Sequence, residues 1–179
     1  LEWLGAQAVP FAEALAQFAS LQELNLYGNN LVRELGAHAV PFAAALAQCG
    51  SLQDLNLGIN SLGSLGDQAV PFARALAQCA SLKNLHLYGN GLGWLGVQAV
   101  PFSAVLAQCT SLQNLDLSDN DLGALGAQAV LFAEALAQCP SLQNLDLSNN
   151  DLVRELGAQA EPFARALAGC HSLQNLHLG

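Results

Sequence analysis

Three features of the sequence predict an α/β solenoid built from stacked, near-identical units. A Ser-Leu pair recurs at Ser20, Ser51, Ser81, Ser111, Ser141 and Ser172, at spacings of 31, 30, 30, 30 and 31 residues. Within each unit one half alternates leucines at a period of two, and the other half spaces apolar residues three and four apart. A period of this length marks one supersecondary piece that cannot bury its apolar face alone, so the core must form between neighbours.

The strand half reads Leu-x-x-Leu-x-Leu-x-x-Asn-x-Leu, as in Leu21, Leu24, Leu26, Asn29 and Leu31, and again in Leu112, Leu115, Leu117, Asn120 and Leu122. Alternation of Leu24 and Leu26 around Asn25 is the pattern of a short strand with one face inward. Identical segments following one another at constant period pair in parallel, and the rest of each unit then serves as the crossover.

The helix half reads Gly-Ala-Gln-Ala-Val-Pro-Phe-Ala-x-Ala-Leu-Ala-Gln-Cys, in which Leu125, Ala129, Phe132, Leu136 and Cys139 trace a helical stripe. Pro10, Pro41, Pro71, Pro101 and Pro162 are tolerated only in the first turn, because a proline deeper in deletes an interior hydrogen bond. Leu131 occupies the same slot in the fifth copy, so the slot does not require Pro. The Ala-x-Ala-Leu-Ala run carries little side chain and lets successive helices approach closely.

On these motifs the chain resembles the leucine-rich repeat proteins over essentially all of its length. Its Leu-Gly-x-x-Gly-Ala…Ala-Leu-Ala helices resemble the ribonuclease-inhibitor-like subclass, from which it departs by a longer unit near the Val-Pro-Phe segment. The resemblance implies a right-handed α/β horseshoe, with the parallel sheet on the concave side and helices on the convex side. Residues 1–179 are expected to form a single leucine-rich repeat domain of six helix–strand units.

Asn29, Asn60, Asn90, Asn120 and Asn150 read as inward amides that bond loop backbone between units, where those groups are otherwise buried unsatisfied. The chain opens midway through a unit, closes within a strand at "NLHLG" and contains no Met, so an uncapped piece of a longer chain is expected. Glu161 stands where five earlier helices have Val, and Gly169 replaces a Gln, as in a terminal or interface-forming unit. Cys49, Cys79, Cys109, Cys139 and Cys170 share one slot at the helix end, and Phe18 fills that slot in the first unit. A ligand or a disulfide would not tolerate Phe there, whereas an apolar plug does, so the column reads as core filling. Five unpaired thiols, no Asn-x-Ser/Thr acceptor and no visible targeting segment point to an intracellular, cytoplasmic setting.

Composition narrows the partners. Five Lys and Arg against fourteen Asp and Glu give a net charge of -9, which argues against nucleic acid and for a basic or neutral contact. Gln, Asn and Ser interrupt the apolar residues too often for the roughly eighteen consecutive positions of a spanning helix. No cofactor is implied.

In-register strands place equivalent outward residues about 5 Å apart. One floor column reads Asn25, Asn56, His86, Asp116, Asp146, His177; its neighbours read Glu23, Asp54, Asn84, Asn114, Asn144, Asn175 and Tyr27, Gly58, Tyr88, Ser118, Ser148, Gly179. The units differ most here, which is the pattern of a recognition surface on a fixed scaffold, although solvated strand residues also vary when nothing binds. His86 beside Asp116 and Asp146 beside His177 are the constellations that suit Zn or catalysis, but no nucleophile elbow or His-Glu-x-x-His accompanies them. Asp116, Asp119, Asp121, Asp146 and Asp151 could hold Ca²⁺ and read more simply as a solvated acidic patch. Trp3 and Trp94 lie in the loop after the Asn, either as interface anchors or packed on the first helical turn, and His38 reads as solvated.

The expected function is therefore protein–protein interaction through the concave sheet, not catalysis. The alternative is a structural subunit of a large assembly held by its convex helices and open ends; a metal-binding or enzymatic protein is a distant third reading.

Overall fold

The computed structural model describes residues 7–179 and contains one six-stranded parallel sheet in the order β1-β2-β3-β4-β5-β6. The strands are β1 (Glu23–Asn25), β2 (Asp54–Asn56), β3 (Asn84–His86), β4 (Asn114–Asp116), β5 (Asn144–Asp146) and β6 (Asn175–His177). Each strand is the central triplet of the leucine motif, and the middle leucine of each pairs with the next: Leu24, Leu55, Leu85, Leu115, Leu145, Leu176.

The longer helices α1 (Ala8–Leu15), α3 (Ala39–Leu46), α4 (Ala69–Leu76), α5 (Ala99–Leu106), α6 (Gln128–Leu136) and α8 (Ala160–Leu167) pack in chain order on one side. Helices need roughly 8–10 Å between axes and strands under about 5 Å, so stacking both at one period puts the sheet on the inner side of a bend. In α1, α3, α4, α5 and α8 the proline is the third residue, in the first turn as expected. Helix α6, which has Leu131 instead, begins one residue earlier, because Leu131 keeps the N–H that proline lacks.

Phe42, Phe72, Phe102 and Phe132 from the helices meet the inward leucines in a continuous core. Alanines such as Ala43, Ala73 and Ala133 are fully buried, and Ser103 takes the same place in α5 by donating its hydroxyl to the Val100 carbonyl. The difference in unit length resides after the asparagine. Units with the extra residue form a short helix, α2 (Leu31–Leu35) or α7 (Leu152–Leu156), whereas the others form 3-10 turns.

The cysteine column is buried and unpaired. Cys139 Sγ lies 3.9 Å from the Cys109 carbonyl and Cys170 Sγ 4.0 Å from the Leu142 carbonyl, so both thiols are covered by the unit before. Phe18, expected to plug the same slot, is instead 61% exposed, because in the first unit that cover is missing among the described residues. Trp3 lies outside the described residues. Among those described, no helix is long and apolar enough to cross a membrane.

Candidate functional site

The floor columns sit where register puts them. Glu23, Asp54, Asn84, Asn114, Asn144 and Asn175 line up across all six strands, and so do Asn25, Asn56, His86, Asp116, Asp146 and His177. In the first column Asn84 donates to Asp54 Oδ2 at 2.8 Å, and Asn114, Asn144 and Asn175 each donate to the amide oxygen one unit back. These amides thus form a one-directional tape that holds neighbouring strands to a common spacing.

The second column holds the charge. His86 stands between two carboxylates, with Nε2 3.6 Å from Asp54 Oδ1 and Nδ1 3.8 Å from Asp116 Oδ2. His177 Nδ1 is 3.7 Å from Asp146 Oδ2. The nearby Asp116 carboxylate, then the field of Asp54, raise the His86 pKa despite its partial burial. For Asp116, burial opposes ionisation, but the nearby His86 imidazole and the hydrogen bonds from Ser118 outweigh it and the carboxyl titrates below its ordinary value. Asp116 and Asp146 are direct cross-strand partners, a like-charge juxtaposition that costs stability unless cations offset it. The imidazoles flank the pair, and Ser118 and Ser148 donate to the inner oxygens. Together with Asn114, Asn144 and Asn175, the two carboxylates and the two imidazoles line an open depression of about 360 Å³.

Comparisons with known proteins agree with this architecture. Models described as "Leucine Rich repeat" and "Leucine Rich Repeat" match residues 108–131 and residues 20–40 and 141–163, respectively. A solved structure titled as the tropomodulin C-terminal domain of Caenorhabditis elegans superposes with a TM-score of 0.61 at 14% identity, covering 91% of this chain and 93% of that one. With those motif matches in register with the observed strands, the assignment is decided. The chain is a leucine-rich repeat protein. No curated protein matches it.

Other candidates of this leucine-rich repeat protein lie along the loop edge that follows each strand. Trp94 is 72% exposed, and its Nε1 donates to Asp121 Oδ2 at 3.1 Å. Tyr27 and Tyr88 stack with centroids 5.7 Å apart, across the intervening Gly58. Asp119 is exposed beside Asn149, and His38 is exposed as expected. Among the described residues, no group of three or more His, Cys, Asp or Glu could hold a metal ion. Ile59 was not among the sequence candidates, yet it is 47% exposed and sits at a φ of 53°. The signal for it was present: Ile59 is the one β-branched residue in a column otherwise made of Gly28, Gly89, Asp119 and Asn149.

Proposed function

We propose that this leucine-rich repeat protein, of the ribonuclease-inhibitor-like type, binds a protein partner through the inner face of its sheet. The observation that carries the reading is the paired carboxylates Asp116 and Asp146 on the floor of the depression, with His86 and His177 on either side. The leucine frame hardly varies from unit to unit, so these outward residues are what distinguishes one part of the scaffold from another. Two adjacent carboxylates favour a Lys or Arg of the partner, in keeping with a net charge of -9, and disfavour nucleic acid. Binding rather than catalysis is the role assigned, with no cofactor, and an intracellular, cytoplasmic setting suits the five thiols. Domains of this family commonly mediate protein–protein interactions.

The test is binding of a library of Lys- and Arg-containing peptides to the wild-type chain and to Asp116→Asn/Asp146→Asn. Removing the two charges should weaken the best binders about tenfold or more and flatten their salt dependence. Equal binding by both proteins would sink the floor reading.

A further inference from the structure

The loops after β1, β2 and β3 hold large apolar side chains in the open, and several lie directly over glycines. A Cβ added to Gly58 would stand 2.5 Å from the Tyr88 ring, one on Gly89 would stand 2.8 Å from Ile59 Cγ1, and one on Gly91 would stand 3.2 Å from Trp94 Cδ1. The stacked pair Tyr27 and Tyr88, then Ile59 and Trp94, thus stand along successive loops of one edge, with Tyr88, Ile59 and Trp94 each over backbone that lacks a side chain of its own. Exposures of 48% for Tyr27, 47% for Ile59 and 72% for Trp94 show that the fold does not consume these groups.

The backbone points the same way. Ile59 occupies the left-handed region, which a β-branched residue enters only at a cost, and its half-exposed side chain gains little burial there. In the next two units the same loop turns polar and acidic, reading Ser118, Asp119, Asp121 and then Ser148, Asn149, Asp151. Asp121 reaches back to fix the Trp94 indole, which joins the apolar and acidic stretches into one edge.

We propose that this loop edge seats an extended segment of a protein partner. An apolar side chain of that segment rests on Tyr88 and Ile59, and a Lys or Arg two to four residues away reaches Asp119 and Asp121. The spacing follows from units set about 5 Å apart and an extended chain advancing about 3.3 Å per residue, which links the two stretches in about three residues. Charge complementarity selects a basic residue for the acidic stretch, and the apolar stretch excludes a purely polar ligand. The inference rests on the reading of the sheet as a protein-binding face and extends the contact outward from the floor to its edge.

The experiment is panning of random twelve-residue peptides displayed on phage against the immobilised full chain, followed by affinities of the enriched sequences. Enriched peptides pair an aliphatic or aromatic residue with Lys or Arg two to four positions away. Their synthetic forms lose about tenfold or more in affinity for Tyr88→Ser/Ile59→Asn. Both replacements copy later units, where Ser118 and Asn149 occupy the equivalent positions, so the variant retains the fold, as its circular dichroism melt verifies. In a Trp3→Phe background, the emission of Trp94 also shifts when peptide is added. Peptides that bind Tyr88→Ser/Ile59→Asn at full strength but not Asp116→Asn/Asp146→Asn overturn the loop-edge inference and leave the floor reading in place. Peptides indifferent to both pairs of substitutions, or a library that yields no enrichment, overturn both.

Discussion

Asn90 and Asn84 share a side chain and differ in what depends on it. The Asn90 amide oxygen accepts from Asn60 N at 2.9 Å and Leu62 N at 3.2 Å, while its nitrogen donates to the Leu57 and Leu87 carbonyls, all of it buried. Asn90→Ala strands several of these groups, each at about 1–3 kcal/mol, so a loss of about 3–5 kcal/mol is expected in urea unfolding. Asn84→Ala on the half-buried floor should cost about 1 kcal/mol or less, since water replaces its partners. Only similar losses for both would contradict the division between frame and floor. The pair His86 and Asp116 adds a pH dependence. A raised His86 pKa stabilises the fold fully below the ordinary 6.5, and that contribution fades as pH rises through the folded value. A lowered Asp116 pKa stabilises above the ordinary 3.8, and that contribution fades as pH falls through its folded value. Nuclear magnetic resonance titration of the His86 ring should give a midpoint above 6.5 that drops in Asp116→Asn. The asparagine ladder and the His86–Asp116 adjacency were legible in the sequence, because register turns a constant period into spatial columns. Ile59 escaped because backbone φ is not written in a hydrophobic period; it shows only as an odd member of a loop column.

At the scale of the element, glycine and proline explain what the leucines leave open. Gly36, Gly66, Gly96, Gly126 and Gly157 separate the turn after the asparagine from the long helix, and each adopts a positive φ that a side chain would strain. Gly93 is different: its need is space, since a Cβ would sit 2.0 Å from the Asp121 carbonyl of the next unit. Gly93 N donates to the Asn120 carbonyl at 2.8 Å, so the loops stack backbone to backbone at this point. Gly93→Ala should therefore cost about 3 kcal/mol or more by forcing adjacent units apart, read as a fall in thermal midpoint. Gly50→Ala, with nothing within 4 Å, is the control and should leave the midpoint nearly unchanged. The sequence showed where the units gain a residue, at Arg33-Glu34 and Arg154-Glu155. It did not show that the gain converts a 3-10 turn into the short helices α2 and α7, because five residues carry too little periodicity to tell one from the other. The Ser-Leu marker also proves to be a tie between units: Ser51, Ser81, Ser111 and Ser141 each donate to a carbonyl in the turn that precedes the previous strand.

At the scale of the whole molecule, every unit touches its neighbours, and stability is a chain of interfaces rather than one centre. Among the described residues the unit carrying β6 packs against one neighbour, those between it and the first unit against two, and all three residues of that strand are exposed. A polypeptide of residues 1–179 should therefore open first at its β6 unit and reach the middle last. The cysteine column reports on the order, because it places one buried thiol in each of five successive units. Burial, with smaller contributions from the neighbouring thiols, pushes Cys109 up to about 12 and Cys79 to about 11, so both are unreactive at neutral pH while the stack is closed. Pulsed alkylation in moderate urea, followed by mass spectrometry of the peptides, should label Cys170 first and Cys109 among the last. Simultaneous labelling of all five at one rate would mean that the stack opens as a single cooperative unit. Labelling of Cys109 ahead of Cys170 would contradict the nearest-neighbour picture itself, because the best-covered interface would then be the first to fail.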